Sequence, residues 1–166
     1  MQLRWPTYEQ FLPLFLLHFE DLGLKKLITT CYQNQNRYLF SQHDSERAIY
    51  LEYQGDTNQN RAPDVDEIGV QYLKGDGDFR SAESIELLKQ ADIVVTNPPF
   101  SLFREYVAQL IEYNKQFVII GNKNAVTYKE IFPLIKQNKL WVGNTPMSTD
   151  MMFDVSEEFA QELVKN

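Results

Sequence analysis

The sequence predicts an α/β protein with a largely parallel sheet, and two features of the chain support this fold class. Short apolar runs typical of buried strands alternate with amphipathic runs from residue 70 to residue 143. Polar turns that contain glycine or proline follow several of the apolar runs, as expected where parallel strands pass into helices. Because the chain has 166 residues, we expect residues 1–166 to form a single domain.

The first half of the chain predicts one helix and two strands. Apolar residues recur at helical spacing over Tyr8–Leu22, where Thr7 is placed to cap the helix and Gly23 to end it. The runs LKKLITTCY and ERAIYLEYQGD have the composition of strands, and the second alternates as a half-exposed strand does. The polar segment over residues 56–66 predicts an exposed loop.

The second half predicts a strand that ends in the glycine- and aspartate-rich turn KGDGDFR, followed by six further elements. In chain order these are a helix with Ser81 and Ser84 as candidate caps, the strand DIVVTN, the helix SLFREYVAQLIEYN, the strand QFVIIGN, the helix TYKEIFPLIKQN with a kink at Pro133, and the strand LWVGN. The continuous apolar residues of QFVIIGN predict a strand covered on both faces. Beyond these elements, Met151–Val155 predicts a short strand and Ser156 the start of a helix.

Charge and cysteine content limit the classes of function. The formal charge is −7 and the pI is near 4.8, whereas phosphate binding needs Lys and Arg. If the protein acts on nucleic acid, its basic surface must be a local patch on this chain or lie on another polypeptide segment. The single cysteine, Cys31, allows no disulfide within the chain and predicts a packing role in a reducing compartment. With no leader, membrane span or metal-binding spacing evident, we expect a cytoplasmic protein without a metal site.

The turn at Gly75–Phe79 is chemically unusual because it places two carboxylates at the end of a strand. It lacks the third glycine of a dinucleotide fingerprint and the Gly-Lys-Ser/Thr of a phosphate-binding loop. Two carboxylates would also repel a phosphate. The turn is therefore predicted to present acids to an uncharged or cationic ligand, and the alternative is an exposed turn between a strand and a helix.

The sequence Asn97-Pro98-Pro99-Phe100 follows the strand DIVVTN. Two consecutive prolines remove two backbone donors and fix φ, which predicts outward-pointing carbonyls. The Asn97 side-chain oxygen and the Pro98 carbonyl could then accept both hydrogens of an amino group on a planar ring. Phe100 offers a face on which that ring could stack. The alternative is a proline-rich turn with Phe100 in the core, but the position between a strand and a helix favours ligand binding.

The decapeptide DIVVTNPPFS resembles the catalytic motif of the S-adenosylmethionine-dependent methyltransferases that modify adenine in DNA. With LKGDGDFRS, FVIIGN and LWVGN, the chain from about Phe19 onwards is similar to the adenine-specific methylase family typified by the EcoRI modification enzyme. The tetrapeptide alone is shared with protein-glutamine and RNA methyltransferases. The whole set of motifs in this order is specific to the family.

The resemblance implies a Rossmann-like methyltransferase fold, a role in restriction and modification, and methylation of the exocyclic amine of adenine in double-stranded DNA. The target adenine would be flipped out of the duplex. Asn97 and Pro98 would accept hydrogen bonds from its amine, Pro99 would complete the catalytic motif, and Phe100 would stack on the base.

S-adenosylmethionine is the cofactor that the resemblance implies. Its implied binding residues are Asp76, Asp78 and Phe79, at the end of the strand before the amino-group motif. Either aspartate matches the family's acid near the cofactor adenine, and Asp78 is the preferred match.

One part of the family pattern has no match in the chain. The family holds the cofactor with a glycine- or acid-containing loop after its first central strand, and the first helix here resembles the one that should follow that strand. We therefore expect an incomplete fold that lacks this strand and the C-terminal recognition part, and weak cofactor binding by the chain alone. The alternatives are methylation of protein glutamine or an RNA base, or an inactive remnant that serves as a binding or structural unit.

Overall fold

A computed structural model of the protein describes residues 11–31, 48–60, 63–64, 66–144 and 148. The helices are α1 (Leu12–Leu17), α2 (Ala82–Gln90), α3 (Phe103–Glu112) and α4 (Phe132–Lys136). The strands are β1 (Leu27–Cys31), β2 (Ile49–Tyr53), β3 (Gly69–Tyr72), β4 (Ile93–Thr96) and β5 (Gln116–Ile119). The elements predicted after residue 150 lie outside the described residues. Residues 1–120 and 121–166 form two compact units, and a single domain over residues 1–166 remains a prediction.

Strands β1, β2 and β3 form an antiparallel sheet in that order. The register pairs Leu27 with Tyr53 at one end of β1, and Ile49 with Tyr72 at the start of β2. The prediction of a largely parallel sheet is therefore wrong for these strands. Parallel neighbours need a crossover connection, usually a helix, and the described residues between β2 and β3 contain none.

Strands β4 and β5 form a parallel pair, as predicted, in register from Ile93 opposite Gln116 to Thr96 opposite Ile119. Helix α3 is the crossover between them, and its buried residues are Phe103, Val107 and Leu110. This spacing of the apolar residues is the helical stripe that the sequence predicts. The mixture of helices with a parallel strand pair confirms the α/β class.

The parallel pair exposes one of its faces, contrary to the prediction that QFVIIGN is covered on both. Val118 is 63% exposed and Ile120 is 45% exposed, while Phe117 and Ile119 are partly buried. Ile93, on the same face as Val118, is 56% exposed. Apolar composition indicates that a face can be buried, but covering that face requires another element, which the described residues do not supply.

Helix α1 packs its apolar stripe on the antiparallel sheet. Leu12, Leu16 and Phe19 form a buried cluster with Tyr53 and Ile68. The Phe19 and Tyr53 rings meet edge to face, with centroids 4.9 Å apart. The helix ends at Leu17, earlier than predicted, and turns follow as far as Gly23, whose φ of 63° suits a chain reversal.

Two further sequence predictions are wrong in the unit formed by residues 121–166. Pro133 lies in the first turn of α4 and begins the helix rather than kinking it, because the first helical positions need no backbone donor. The run LWVGN forms no strand, and Trp141 is 74% exposed. Strand formation requires a pairing partner, which β-propensity alone does not provide.

Candidate active site

The segment Asn97–Phe100, called the amine loop below, follows the carboxyl end of β4. Pro98 is buried, whereas Asn97, Pro99 and Phe100 are exposed. The Asn97 side chain makes no hydrogen bond to another described residue. Phe100 is 58% exposed, so the alternative that its ring belongs to the core is wrong. Both side chains that the sequence assigns to a ligand are therefore accessible.

The prolines of the amine loop lead directly into the helix that follows. The Pro99 carbonyl accepts a hydrogen bond from the Leu102 amide at 2.9 Å, and the 3-10 turn Phe100–Leu102 precedes α3. The expectation that the carbonyls of this loop all point outward is thus wrong for Pro99, because its carbonyl starts this turn. The Pro98 carbonyl accepts no hydrogen bond from the described residues.

The segment Gly75–Phe79, called the acid turn below, is held by a series of local hydrogen bonds. The Asp78 amide donates to Asp76 Oδ1 at 2.9 Å, and the Arg80 amide donates to Asp78 Oδ1 at 2.8 Å. The Ser81 amide donates to the Asp78 carbonyl at 2.9 Å, and the Ser81 hydroxyl caps α2, as predicted, by accepting from the Ser84 amide at 3.1 Å. The turn and the start of α2 thus form one hydrogen-bonded unit.

Gly77 fits the acid turn because a side chain there would meet its neighbours and strain the backbone. Its φ is +81°, in the left-handed region that favours glycine. A Cβ at this position would lie 3.0 Å from the Ala48 Cβ and 3.3 Å from the Cys31 carbonyl oxygen. The acid turn therefore lies against the end of β1, where Cys31 is buried as predicted.

Arg80 binds the Asp78 carboxylate with two donors. Its Nε lies 2.9 Å from Asp78 Oδ1 and its Nη2 lies 2.7 Å from Asp78 Oδ2. These hydrogen bonds from Arg80 lower the pKa of Asp78, although partial burial of the carboxyl opposes them. At neutral pH the acid turn therefore carries an ionised, oriented carboxylate.

The lowered pKa of Asp78 predicts a stability contribution that disappears in acid. A carboxyl with a folded pKa below its unfolded value of about 3.9 stabilises the fold fully above that value, and the contribution is lost as pH falls through the folded pKa. We expect Asp78→Asn to lower the urea midpoint at about pH 6, and the difference from wild type to shrink as the pH falls below the unfolded pKa of about 3.9. Asp92→Asn, at an exposed aspartate, is the control. A difference that persists unchanged in acid would contradict the assignment.

Three contacts join α3 to the acid turn and to Arg80, which directly follows it, and the residues that make them on α3 were not identified from the sequence. Arg80 Nη1 donates to Glu105 Oε2 at 3.0 Å, and Gln109 Nε2 donates to the Phe79 carbonyl at 3.0 Å. The Phe79 and Tyr106 rings have centroids 4.6 Å apart. Polar residues four apart on a helix share a face. The spacing of Glu105 and Gln109 in the sequence therefore indicates a polar face of α3 that could bind another segment.

The structure thus brings Phe79 against the helix that begins after the predicted catalytic residues, and Arg80 connects Asp78 to the same helix. Phe79 packs on Tyr106, and the Arg80 guanidinium carbon lies 5.3 Å from the centroid of the Phe79 ring. The ligand-binding roles of Asp76, Asp78 and Phe79 remain predictions. Among the residues that the structure describes, no group of three His, Cys, Asp or Glu side chains is arranged to hold a metal ion.

The described helices are also too short or too polar to cross a membrane.

Comparison with known proteins identifies a family for almost the whole chain. Residues 5–166 match the family described as adenine-specific methyltransferase EcoRI. The chain is 51% identical over 138 residues to Type II methyltransferase M.EcoRI of Escherichia coli. The aligned residues cover 83% of this chain and 42% of that protein. It is 44% identical over 149 residues to Type II methyltransferase M.MgeORF184P of Mycoplasma genitalium, which covers 90% of this chain and 40% of that protein.

A third relative gives the same picture. Type II methyltransferase M.MpnI of Mycoplasma pneumoniae is 40% identical over 149 residues, which covers 90% of this chain and 40% of that protein. No solved structure shows a significant match. The chain spans about two fifths of the length of each of these relatives. These matches show that the chain belongs to the EcoRI family of adenine-specific methyltransferases.

Proposed function

We propose that this chain is the amine-binding part of an S-adenosylmethionine-dependent methyltransferase that modifies the exocyclic amine of adenine in double-stranded DNA. The observation that carries this proposal is the amine loop, which follows a parallel strand and has both Asn97 and Phe100 accessible. Ligands of parallel sheets gather at this end of the strands. Membership of an adenine-specific methyltransferase family supports the choice of substrate.

In this proposal each residue of the amine loop acts on the flipped adenine. Asn97 Oδ1 and the Pro98 carbonyl accept the two hydrogens of the amine, which directs the nitrogen lone pair towards the methyl donor. Pro99 fixes the backbone, and Phe100 stacks on the base. Methyl transfer would form a bond from the amine nitrogen to the methyl carbon as the bond from that carbon to the sulfonium sulfur breaks, with S-adenosylhomocysteine leaving and one amine proton passing to solvent. Positioning the amine is the task of these residues.

The acid turn fits the adenine end of S-adenosylmethionine, which supplies a methyl group on a positively charged sulfur. Carboxylates accept hydrogen bonds from amine and hydroxyl groups, and Asp76 and Asp78 are both partly exposed in an ordered turn. Asp78 shares its oxygens with Arg80, so the Asp76 carboxylate competes equally for this role. The described residues include no glycine- or acid-containing loop after a central strand that would hold the amino-acid end.

We further propose that the complete catalytic domain is Rossmann-like and that a strand from outside this sequence completes it. Strand β1 pairs only with β2, and β4 only with β5, among the described strands. Lys26, directly before β1, donates to Gln90 Oε1 at 3.2 Å, next to the segment that enters β4. A strand added at the unpaired edges of β1 and β4 would satisfy their backbone groups and join the two sheets.

The exposed apolar face of the parallel pair supports the same proposal. Ile93 and Val118 are each more than half exposed on that face, which a further part of the catalytic domain would cover. The relatives are more than twice as long as the segments that match this chain. DNA recognition is assigned to that additional part, which accounts for the acidic charge of −7 on the present chain.

Calorimetric titration and complementation test this proposal together. The chain alone is expected to show no micromolar binding of S-adenosylhomocysteine, because the described residues include no loop that would hold the amino-acid end. Co-expression with the unmatched parts of the E. coli relative is expected to restore binding and to produce N6-methyladenine in duplex DNA, measured by mass spectrometry. Micromolar binding by the chain alone would refute the incomplete site.

The substrates offered in the complementation assay separate the competing functions. Duplex DNA, RNA and a protein extract are compared under the same conditions, with transfer of a labelled methyl group as the measurement. Methylation of RNA or of protein glutamine instead of DNA would overturn the assignment of substrate. Restored cofactor binding without transfer to any of the three would favour a catalytically inactive remnant.

A further inference from the structure

Arg80 lies between the acid turn and α3 and contacts both. Its Nε and Nη2 bind the two oxygens of Asp78, and its Nη1 binds Glu105 Oε2 at 3.0 Å. A guanidinium group is planar and its donors have fixed directions, so one side chain orients both partners at once. A lysine at this position could not make the same set of contacts.

The contacts of Arg80 are reinforced by those of its neighbour on the acid turn. Gln109, one turn beyond Glu105 on α3, donates to the Phe79 carbonyl at 3.0 Å, and Tyr106 packs on the Phe79 ring. The opposite side of α3 is buried through Phe103, Val107 and Leu110. Helix α3 is therefore held on one side by buried apolar packing and on the other by the acid turn.

Charge balance in this cluster depends on Arg80. Asp78 and Glu105 are both acidic and both bind the same guanidinium group. Without Arg80, the cluster would contain two carboxylates and no cation within it, so the acid turn and α3 would repel each other. Because 53% of the Arg80 side chain and 56% of the Glu105 side chain are exposed, solvent screens this repulsion and keeps it modest in size.

We propose that Arg80 is a positioning residue that fixes the acid turn relative to the amine loop, acting through Asp78 and Glu105. Helix α3 begins immediately after the 3-10 turn that the Pro99 carbonyl starts, so displacement of α3 moves Phe100 and the backbone of the amine loop. The ligand-binding roles of the acid turn and the amine loop rest on the proposed function. The geometric coupling between the acid turn and the amine loop does not depend on the proposed function.

Hydrogen–deuterium exchange of the 166-residue chain tests the coupling without requiring activity. Arg80→Gln is expected to raise exchange about tenfold in residues 97–104 as well as in the acid turn, since it removes a two-donor contact and a bridge. Glu105→Ala, which leaves the Asp78 contact in place, is expected to raise exchange in residues 97–104 about threefold. Lys89→Gln, which breaks the exposed pair of Lys89 with Glu86 at 2.6 Å, is the control and should leave both segments unchanged.

Two results would overturn the proposal. The first is a change confined to residues 78–81, which would limit Arg80 to its own turn. The second is an equal increase throughout β4 and β5, which would indicate a loss of global stability rather than of position. An exchange increase centred on residues 97–104 supports the coupling even if the chain never transfers a methyl group. The exchange experiment therefore tests the coupling, and the methyl-transfer assay tests the proposed function.

Steady-state kinetics of the complemented enzyme, which is this chain co-expressed with the unmatched parts of the E. coli relative, provide a second readout. Glu105→Ala is expected to lower kcat about threefold and to leave KM for S-adenosylmethionine unchanged, because Arg80 still orients Asp78. Arg80→Gln should lower kcat and raise that KM together. A Glu105→Ala variant that changes KM without changing kcat would contradict a role in positioning the amine loop.

Discussion

Asn97→Ala is expected to lower the rate of methyl transfer by the complemented enzyme about a hundredfold to a thousandfold, the usual loss when one preorganised hydrogen-bonding group of an active site is removed. The Asn97 side chain is exposed and makes no hydrogen bond to another described residue. Its amide oxygen is therefore available to accept a hydrogen from the adenine amine. Alanine removes that acceptor and leaves the prolines of the amine loop in place.

Single-turnover transfer of a labelled methyl group to duplex DNA measures this effect. The thermal midpoint of the Asn97→Ala variant should match that of wild type, because Asn97 contributes no described hydrogen bond to the fold. Asn144→Ala, which replaces another exposed asparagine, is the matched control and should retain full activity. An Asn97→Ala rate within about threefold of wild type would remove Asn97 from the catalytic group.

Gly77→Ala is expected to lower the free energy of unfolding by about 2–3 kcal/mol, which is large for a single methyl group. Two causes act together at this position. The backbone has φ of +81°, which L-residues with a side chain rarely adopt, and the added Cβ would meet the Ala48 Cβ at 3.0 Å and the Cys31 carbonyl at 3.3 Å. Since one of these neighbours is backbone at the end of β1, relief requires movement of the acid turn.

Gly75→Ala is the matched control for this prediction, because it adds the same methyl group two residues away. No atom lies within 4 Å of a Cβ built at Gly75, and its φ is outside the left-handed region. Urea denaturation of the two variants should therefore differ clearly, with Gly75→Ala close to wild type. Affinity of the complemented enzyme for S-adenosylhomocysteine should fall with Gly77→Ala alone. Equal stability of the two variants would show that the acid turn adapts freely.

The sequence predicted the elements that depend on local interactions. Ser81 caps α2, and Phe103, Val107 and Leu110 form the buried stripe of α3. Each of these features is set by residues within one or two helical turns of each other. The succession of β4, the amine loop and α3 was predictable for the same reason.

Features that depend on distant partners were not predictable in the same way. The antiparallel pairing of β2 with both β1 and β3, and the exposure of Val118, reflect which strands and covering elements are present. Composition indicates that a strand forms but not its neighbour. Arg80 was missed because its importance comes from Glu105, which lies 25 residues further along the chain.

The edge of β4 that pairs with no other described strand also affects how the chain behaves when its concentration rises. An exposed edge beside apolar side chains such as Ile93 and Val118 is a template on which a second copy can pair. Self-association therefore competes with the addition of a completing strand. The rate at which two copies associate rises with the square of the chain concentration. Dilute solution and early co-synthesis with the completing segment favour the productive pairing over aggregation.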